Sequence, residues 1–269
     1  MPQPPQSRTL ESMNPRRLTD SRRFSLLCGL LLSLAVPRRT LAEPTPAAIA
    51  AFNAYVSALE ARLAQQHRSP QTFVIPNGQT TVIERLTPAT GSDLPGAQLH
   101  HWRGTAFVLG ANAAAFEHLL RDFKSYPQLF APQVLNAEVL SSQPDHLVAS
   151  MRVRQKHVLT VVLDTTYDVT FARLDPHDGS SISRSTHIYE IDDAGRATED
   201  HGFLWRLNTY WTFEERDGGL YIQIESVSLS RSIPTGLAWA IRPYVDSVPR
   251  ESLEFTLQSA CKALKEKAQ

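Results

Sequence analysis

The side chains best suited to chemistry in this chain are its nine histidines, one cysteine beyond residue 42 and a group of hydroxyls on predicted strands. His187 is the most suggestive histidine because it shares one face of its strand with Ser183, Ser185 and Tyr189. If that face points inward, His187 and Tyr189 could orient a ligand carbonyl or act as acid and base. Alternation does not say which face points inward, so a structural role for both residues stays open.

The sequence lacks the motifs that usually mark a metal or catalytic centre. It contains no His-Glu-x-x-His, Gly-x-Ser-x-Gly or Cys-x-x-Cys pattern and no glycine-rich phosphate loop. The remaining histidines are scattered, and His100 and His101 adjoin the start of a predicted strand, where surface positions are expected. We therefore expect no metal, no cofactor and no catalytic residue, with an enzymatic role kept as the alternative.

Cys261 is predicted to be a packing residue. It falls on the apolar stripe of a C-terminal helix together with Leu253, Leu257 and Leu264. A single cysteine cannot form an intramolecular disulfide, so stability has to come from the hydrophobic core.

Residues 203–229 predict a central hairpin. Asp217-Gly218 tolerates the positive φ angles of a type I′ turn, which places Arg216 opposite Gly219. The pairs that then share one face are Phe213 with Ile222, Trp211 with Ile224, Thr209 with Ser226 and Leu207 with Ser228.

One end of this hairpin face is apolar and the other carries small hydroxyls. A solid core would be filled at those positions with Val or Leu. Leaving a buried hydroxyl without a hydrogen bond costs about 1–3 kcal/mol. The face therefore predicts the wall of a partly polar cavity, with an ordinary core as the alternative.

Turn residues around the hairpin divide the chain into further strands and a few helices. Strands are predicted to begin near residues 102, 134, 146, 158 and 181, and Met151, Leu163 and Tyr167 lie on inward faces. Short helices are predicted over residues 113–123 and 126–130, and a last helix begins at Ser247 and Pro249. The pattern is an α+β fold in which a bent sheet wraps the last helix.

The N-terminus has the composition of an export signal. The first 42 residues hold seven arginines against two acidic residues, which leaves 20 basic and 25 acidic residues and a net charge of −5 in the rest. An apolar run over residues 24–36 precedes a small-residue cleavage site, so we expect Sec export to the periplasm or beyond, with a twin-arginine route as the alternative. The acidic body argues against nucleic acid as a partner.

Residues 43–97 are interpreted as an N-terminal helical extension wrapped on a main domain over residues 98–269. Thr45-Pro46 is typical of a helix start, with a capping hydroxyl and proline at the first helical position. The helix that follows carries apolar residues at helical spacing and must dock on another surface.

Residues 122–134, with Asp122, Tyr126-Pro127 and Pro132, lead into a strand in a way that resembles Coq10-like proteins. These belong to the START/Bet v 1-like (SRPBCC) superfamily, which also includes polyketide cyclases. Residues 203–208 and 232–236 resemble an exported bacterial subgroup, and the likeness covers residues 99–265.

The resemblance implies a helix-grip fold, in which a strongly bent antiparallel sheet wraps a long C-terminal helix around an apolar cavity. The resemblance does not fix the chemistry, because members bind lipids, quinones or polyketides and a minority catalyse reactions. From the apolar face with its hydroxyls and the lack of a catalytic motif, we expect a non-enzymatic, monomeric binder or carrier of a hydrophobic small molecule (lipid, isoprenoid/quinone or polyketide-like), with transient membrane contact left open. The alternatives are a cyclase, dehydratase or hydrolase, and an interaction protein docking through residues 237–245. The candidate ligand-binding residues are Met151, Leu163, Tyr167, His187, Tyr189, Leu207, Thr209, Trp211, Ile224, Ser226, Leu257 and Cys261.

Overall fold

The structure is a computed structural model that describes residues 43–66, 73, 81–87, 93–94, 96–156, 160–192, 195–197, 202–232 and 238–268. These residues belong to one compact unit. The predicted export signal in residues 1–42 lies outside the described residues.

The described residues form four α-helices and nine strands. The helices are α1 Pro46–Gln66, α2 Ala113–Arg121, α3 Tyr126–Leu129 and α4 Ala238–Ala268, with a 3-10 turn over Phe123–Ser125. The strands are β1 Thr81–Arg85, β2 Asp93–Leu94, β3 Ala97–Leu109, β4 Val134–Gln143, β5 His146–Lys156, β6 Thr160–Asp175, β7 Asp178–Ile191, β8 Leu204–Arg216 and β9 Gly219–Arg231.

The strands form one curled antiparallel sheet in the order β1-β3-β9-β8-β7-β6-β5-β4, with β2 paired to β3. The long C-terminal helix α4 packs against one face of the sheet, which we call the inner face, and α1 packs against the opposite, outer face. This arrangement confirms the predicted α+β helix-grip fold with an N-terminal helix.

The central hairpin has the predicted register. Asp217 has φ 57° and Gly218 has φ 74°, so both central residues of the turn adopt the left-handed region that a type I′ turn requires. The observed pairs include Arg216 with Gly219, Trp211 with Ile224, Thr209 with Ser226 and Leu207 with Ser228.

Gly104 on β3 lets α4 approach the inner face closely. A Cβ atom at this position would lie 2.8 Å from Leu253 Cδ2 and 2.9 Å from Leu257 Cδ2. Because real Cβ atoms do not come so close to other carbons, a larger residue here would push α4 away from the sheet.

Two helix starts agree with the sequence. The Thr45 hydroxyl accepts a hydrogen bond from the Ala48 amide at 3.1 Å, and the Asn112 side chain accepts one from the Ala115 amide at 2.8 Å. Each side chain satisfies an amide that has no partner within its helix.

Helix α1 docks on the outer face, as its apolar pattern required. Phe52, Val56 and Leu59 are buried in a cluster with Tyr210 and Leu229 of the sheet. The division of the chain at residue 97 stays a prediction.

The predicted start of the last helix is wrong. Helix α4 begins at Ala238 and runs through Ser247 and Pro249 without a break. A proline inside a helix is disfavoured by about 3 kcal/mol, which is why local propensity placed the start there. Burial of Leu253 and Leu257 against the sheet stabilises the helix in spite of it. Residue 237 and the side chains of 238–246, the predicted docking segment, lie outside the described residues.

Candidate functional site

The inner face is filled near the β8–β9 turn, in a region that we call the packed end. Leu220, Ile222 and Phe213 are at most 2% exposed there. Phe116 of α2 packs edge-to-face on Trp211 and Phe213, with ring centroids 5.4 and 5.2 Å apart. The aromatic ring of Phe116 on α2 thus closes this part of the core.

Farther along the same strands, the inner face contains a row of half-buried side chains, and we call this row and the rows beyond it the open end. One row of cross-strand neighbours runs from Trp102 on β3 through Ser226 on β9 and Thr209 on β8 to Ser183 on β7. All four side chains are half-buried, as is Leu207, although they lie on the face that α4 covers. Solvent-sized space therefore reaches the inner face at this level.

The next row of the open end adds further polar groups that are fully buried. His100 pairs with Ser228, and Ser228 pairs with Leu207. His100 and Ser228 are 3% and 6% exposed. The Ser185 hydroxyl accepts a hydrogen bond from the Leu207 amide at 2.9 Å, which fixes one of the hydroxyls.

Two buried polar atoms of the open end have no hydrogen-bond partner among the described residues. They are the indole Nε1 of Trp102 and the hydroxyl of Ser230, which lies beyond Ser228 on the same face of β9. Ser230 is 3% exposed. Unpaired buried donors and acceptors are rare in folded proteins, so these two mark the open end as a place where polar partners are expected.

The structure brings most of the predicted site residues to the inner face. They fall into two groups: Leu163, Tyr167, Trp211, Ile224, Leu257 and Cys261 are buried, and Met151, Leu207, Thr209 and Ser226 are half-buried. The first group builds the core that supports the site, and part of the second lines the open end itself. Whether these residues bind a ligand stays a prediction.

His187 and Tyr189 are not on the inner face, which corrects the hypothesis that they line a cavity. Both side chains are exposed, and their rings stack on each other with centroids 6.1 Å apart. The cause is a β-bulge, since Thr166 pairs with His187 while Tyr167 pairs with Ser185. One extra residue on β7 reverses the facing of every later side chain.

Two titratable residues of the predicted site, Tyr167 and Cys261, lie in the buried part of the inner face and are held in their protonated forms. Burial raises the pKa of Tyr167 to about 12 and the pKa of Cys261 to about 11. Desolvation disfavours the charged form of both groups. Neither is therefore suited to act as a base or a thiolate nucleophile at neutral pH.

Directly behind the open end, the outer face carries a buried polar network that the sequence analysis missed. Glu225 is 0% exposed and bonds through Oε2 to His101 Nε2 at 2.8 Å and to Arg62 of α1. The hydroxyl of Tyr55, also on α1, lies 2.8 Å from His101 Nδ1. With Glu225 ionised, the His101 Nε2–H donates to the carboxylate, and Nδ1 is the ring atom that faces the Tyr55 hydroxyl.

The expected surface position of His100 and His101 is wrong, since each is 3% exposed. Strand β3 begins at Ala97 and not near residue 102, so the two histidines lie within it, and α1 covers one of them. A signal was present in β9, where Glu225 shares its face with Val227 and Leu229. A carboxylate beside such apolar residues indicates a covered face on which the charge has a partner.

The electrostatics of the network favour an ionised Glu225. Burial by itself would raise its pKa, but the hydrogen bond from His101 and the positive charge of Arg62 together lower the pKa below its ordinary value. Gln223 also donates to Glu225 Oε1 at 3.0 Å, so both carboxylate oxygens are bonded. The network therefore ties α1 to β3 and β9.

Within the described part of the chain, no group of three or more His, Cys, Asp or Glu side chains is placed to hold a metal ion. None of the helices in that part is long and apolar enough to cross a membrane.

No family model matches this chain, and no curated protein matches it. It is similar to solved structures of START-type proteins and aromatase/cyclases. A STAR-related lipid transfer protein of Xanthomonas axonopodis has 20% identity and TM-score 0.44, covering 65% of this chain and 97% of that one. The Zhui aromatase/cyclase of a Streptomyces species has 14% identity and TM-score 0.48, covering 64% and 97%.

Human STARD10 has 9% identity and TM-score 0.44, and the match covers 63% of this chain and 71% of the STARD10 chain. Similarity at this level identifies neither a ligand nor an activity. The specific likeness to Coq10-like proteins stays a prediction.

Proposed function

We propose that this protein binds and carries a hydrophobic small molecule at the open end of its inner face, without catalysing a reaction. The observation that carries the proposal is the row from Trp102 to Ser183, which faces α4 and yet is only half-buried. Ligand sites are concave and mostly apolar, with a few polar groups that orient the bound molecule. The open end has this composition.

The ligand class follows from the same side chains. Leu207 and the indole of Trp102 supply apolar contact, and Thr209, Ser226 and Ser228 supply hydroxyls on neighbouring strands. A lipid, an isoprenoid or a polyketide-like molecule combines a large apolar surface with few polar atoms and suits such a wall. If the ligand resides in a bilayer, transient membrane contact of the monomer is part of this proposal.

A catalytic role has less support. Of the titratable residues that the sequence predicted for the site, Tyr167 and Cys261 stay protonated at neutral pH, and the exposed His187 lies on the opposite face. General acid–base catalysis needs a group whose pKa is near the working pH and that reaches the substrate.

Native mass spectrometry of the gently purified protein tests the proposal, with a fluorescent lipophilic probe added where no endogenous ligand is retained. We expect bound mass or probe in the wild type and its loss in Thr209→Leu, which fills the open end. Thr160→Leu makes the same change at an exposed position on β6 and should bind as the wild type does. Equal binding by both variants would contradict the proposal.

We further propose that residues 1–42 direct export and that the binder works outside the cytoplasm. The seven arginines ahead of and after the apolar run over residues 24–36 support this. Mass spectrometry of the protein recovered from the producing cell's periplasm should give a chain that begins near Glu43. A full-length chain confined to the cytoplasm would contradict export but leave the binding proposal standing.

A further inference from the structure

The polar group that a ligand presents to the open end is constrained by Trp102. Its indole N–H is buried and has no hydrogen-bond acceptor among the described residues. An indole nitrogen can only donate a hydrogen bond. Whatever satisfies it must therefore offer an accepting atom at this point of β3.

The hydroxyls along β9 provide a second polar contact. Ser226, Ser228 and Ser230 alternate along the inner face, and Ser226 is the direct cross-strand partner of Trp102. The Ser230 hydroxyl is buried without a partner among the described residues. Because a hydroxyl both donates and accepts, it can bond a carbonyl or a hydroxyl oxygen of a ligand.

The charge around these atoms decides between a neutral and an anionic head group. Beside Trp102 and Ser226, the charged side chains of β3 and β9 are Arg103 and Glu225, and both lie on the outer face with the network under α1. Beside Ser230, the Arg231 guanidinium lies 5.9 Å from the ring centre of Trp205, which belongs to the outer-face cluster. A carboxylate brought to this level would lose its hydration and would meet no arginine or lysine side chain of β3 or β9 on the inner face, which is costly. A neutral oxygen meets no such penalty.

We infer that the open end takes an uncharged amphipathic molecule whose ketone, quinone or ester oxygen accepts a hydrogen bond from Trp102. Its apolar part lies against Leu207 and α4, and a second oxygen can reach the serines of β9. The inference rests on the proposed function and specifies the head group of its ligand.

Three pyrene probes that differ only in the head group test it: pyrenedecanoic acid, its methyl ester and the hydrocarbon decylpyrene. Fluorescence titration of the wild type should rank the ester first. In Trp102→Phe, which keeps an aromatic side chain and removes the indole N–H, affinity for the ester should fall roughly three- to tenfold. Affinity for decylpyrene should not change.

Trp205→Phe is the matched control, because Trp205 also has a buried and unpaired Nε1 but belongs to the outer-face cluster. It should leave all three affinities unchanged. Ser230→Ala should weaken ester binding by less than Trp102→Phe does. Circular dichroism establishes that each variant is folded before titration.

The outcomes separate this inference from the proposed function. If no probe binds the wild type, the proposed function fails. If the ester and decylpyrene bind equally and Trp102→Phe changes neither, the binding function stands and the inference about the head group is wrong. Tighter binding of the carboxylate than of the ester also overturns it.

Discussion

The packed end and the open end of the inner face are built from the same strands and differ in how they are filled. At the packed end, Phe116 of α2 lies against Trp211 and Phe213, and these side chains are buried. At the open end, Thr209 and Ser226 are too small to fill the equivalent layer and remain half-buried. Side-chain volume thus separates a core from a candidate binding wall within one hairpin.

The two ends also differ in what stabilises the strands from behind. Glu225 and His101 directly precede Ser226 and Trp102 in the chain, so they lie on the outer face under the open end. There α1 adds Arg62 and Tyr55 to the network. We infer that the contacts of α1 with the outer face stabilise the strands of the open end, so these strands tolerate looser packing on the inner face.

The largest expected effect separates the two ends by stability. Leu220→Ala removes a side chain that is 0% exposed at the packed end, and it should lower the free energy of unfolding by about 2–5 kcal/mol. Leu207→Ala makes the same change at the open end and should cost about half of that or less, since less apolar surface is lost. Urea denaturation followed by circular dichroism measures both.

Ligand binding should show the reverse order, with Leu207→Ala weakening probe affinity and Leu220→Ala leaving it unchanged in the folded protein. Equal costs in stability would remove the distinction between the ends.

The next largest effect on stability is expected from the buried polar network around Glu225 on the outer face. Glu225→Gln should cost about 1.5–3 kcal/mol at neutral pH, because the three hydrogen bonds from Arg62, His101 and Gln223 lose their anionic acceptor. The pKa of Glu225 in the folded protein lies below its ordinary value of 4.5, so its contribution is present above that pH and is lost as the pH falls further. The wild type should therefore lose more stability on acidification than the variant does.

Urea titrations at several pH values measure this difference. The groups that face Glu225 are His101 on β3, Arg62 and Tyr55 on α1, and Arg103, so Arg103→Gln serves as a control on a more distant partner, 4.0 Å away. Parallel pH profiles for the wild type and Glu225→Gln would show that ionised Glu225 does not stabilise the folded protein.

A smaller effect is expected where α4 crosses the sheet between the two ends. Gly104→Ala should destabilise the protein by about 1–3 kcal/mol, since the new methyl group would overlap the ends of Leu253 and Leu257. The double variant with Leu253→Ala should lose less stability than the sum of the two single losses, because the second change removes one of the overlapping groups. Thermal denaturation of the two single variants and the double variant gives the coupling. Additive losses would contradict the close approach of α4.

The smallest effect is expected from the hydroxyls. Thr209→Val should change stability by no more than about 0.5 kcal/mol, since this half-buried hydroxyl is not part of the packed core. Thr165→Val should cost about 1 kcal/mol, because the buried Thr165 hydroxyl donates to the Met151 carbonyl at 3.0 Å. A larger loss for Thr209→Val would place it in the packed core and weaken the comparison.

The features that the sequence predicted well depend on local geometry. The Asp217-Gly218 turn sets the pairing of β8 with β9, so the facing of Leu207, Thr209 and Trp211 follows from alternation alone. Thr45 and Asn112 mark helix starts because a capping side chain bonds an amide three residues away.

Contacts between distant parts of the chain decided the rest. The bulge in β7 turned His187 and Tyr189 outward, and no local pattern shows where a sheet accommodates an extra residue. Packing of α1 buried His101 and gave Glu225 its partner in Arg62, 163 residues away in the chain. The sequence by itself determined the hairpin register and the small residues of the open end. Only the tertiary structure decided which faces are covered, because burial depends on the element that packs from the other side.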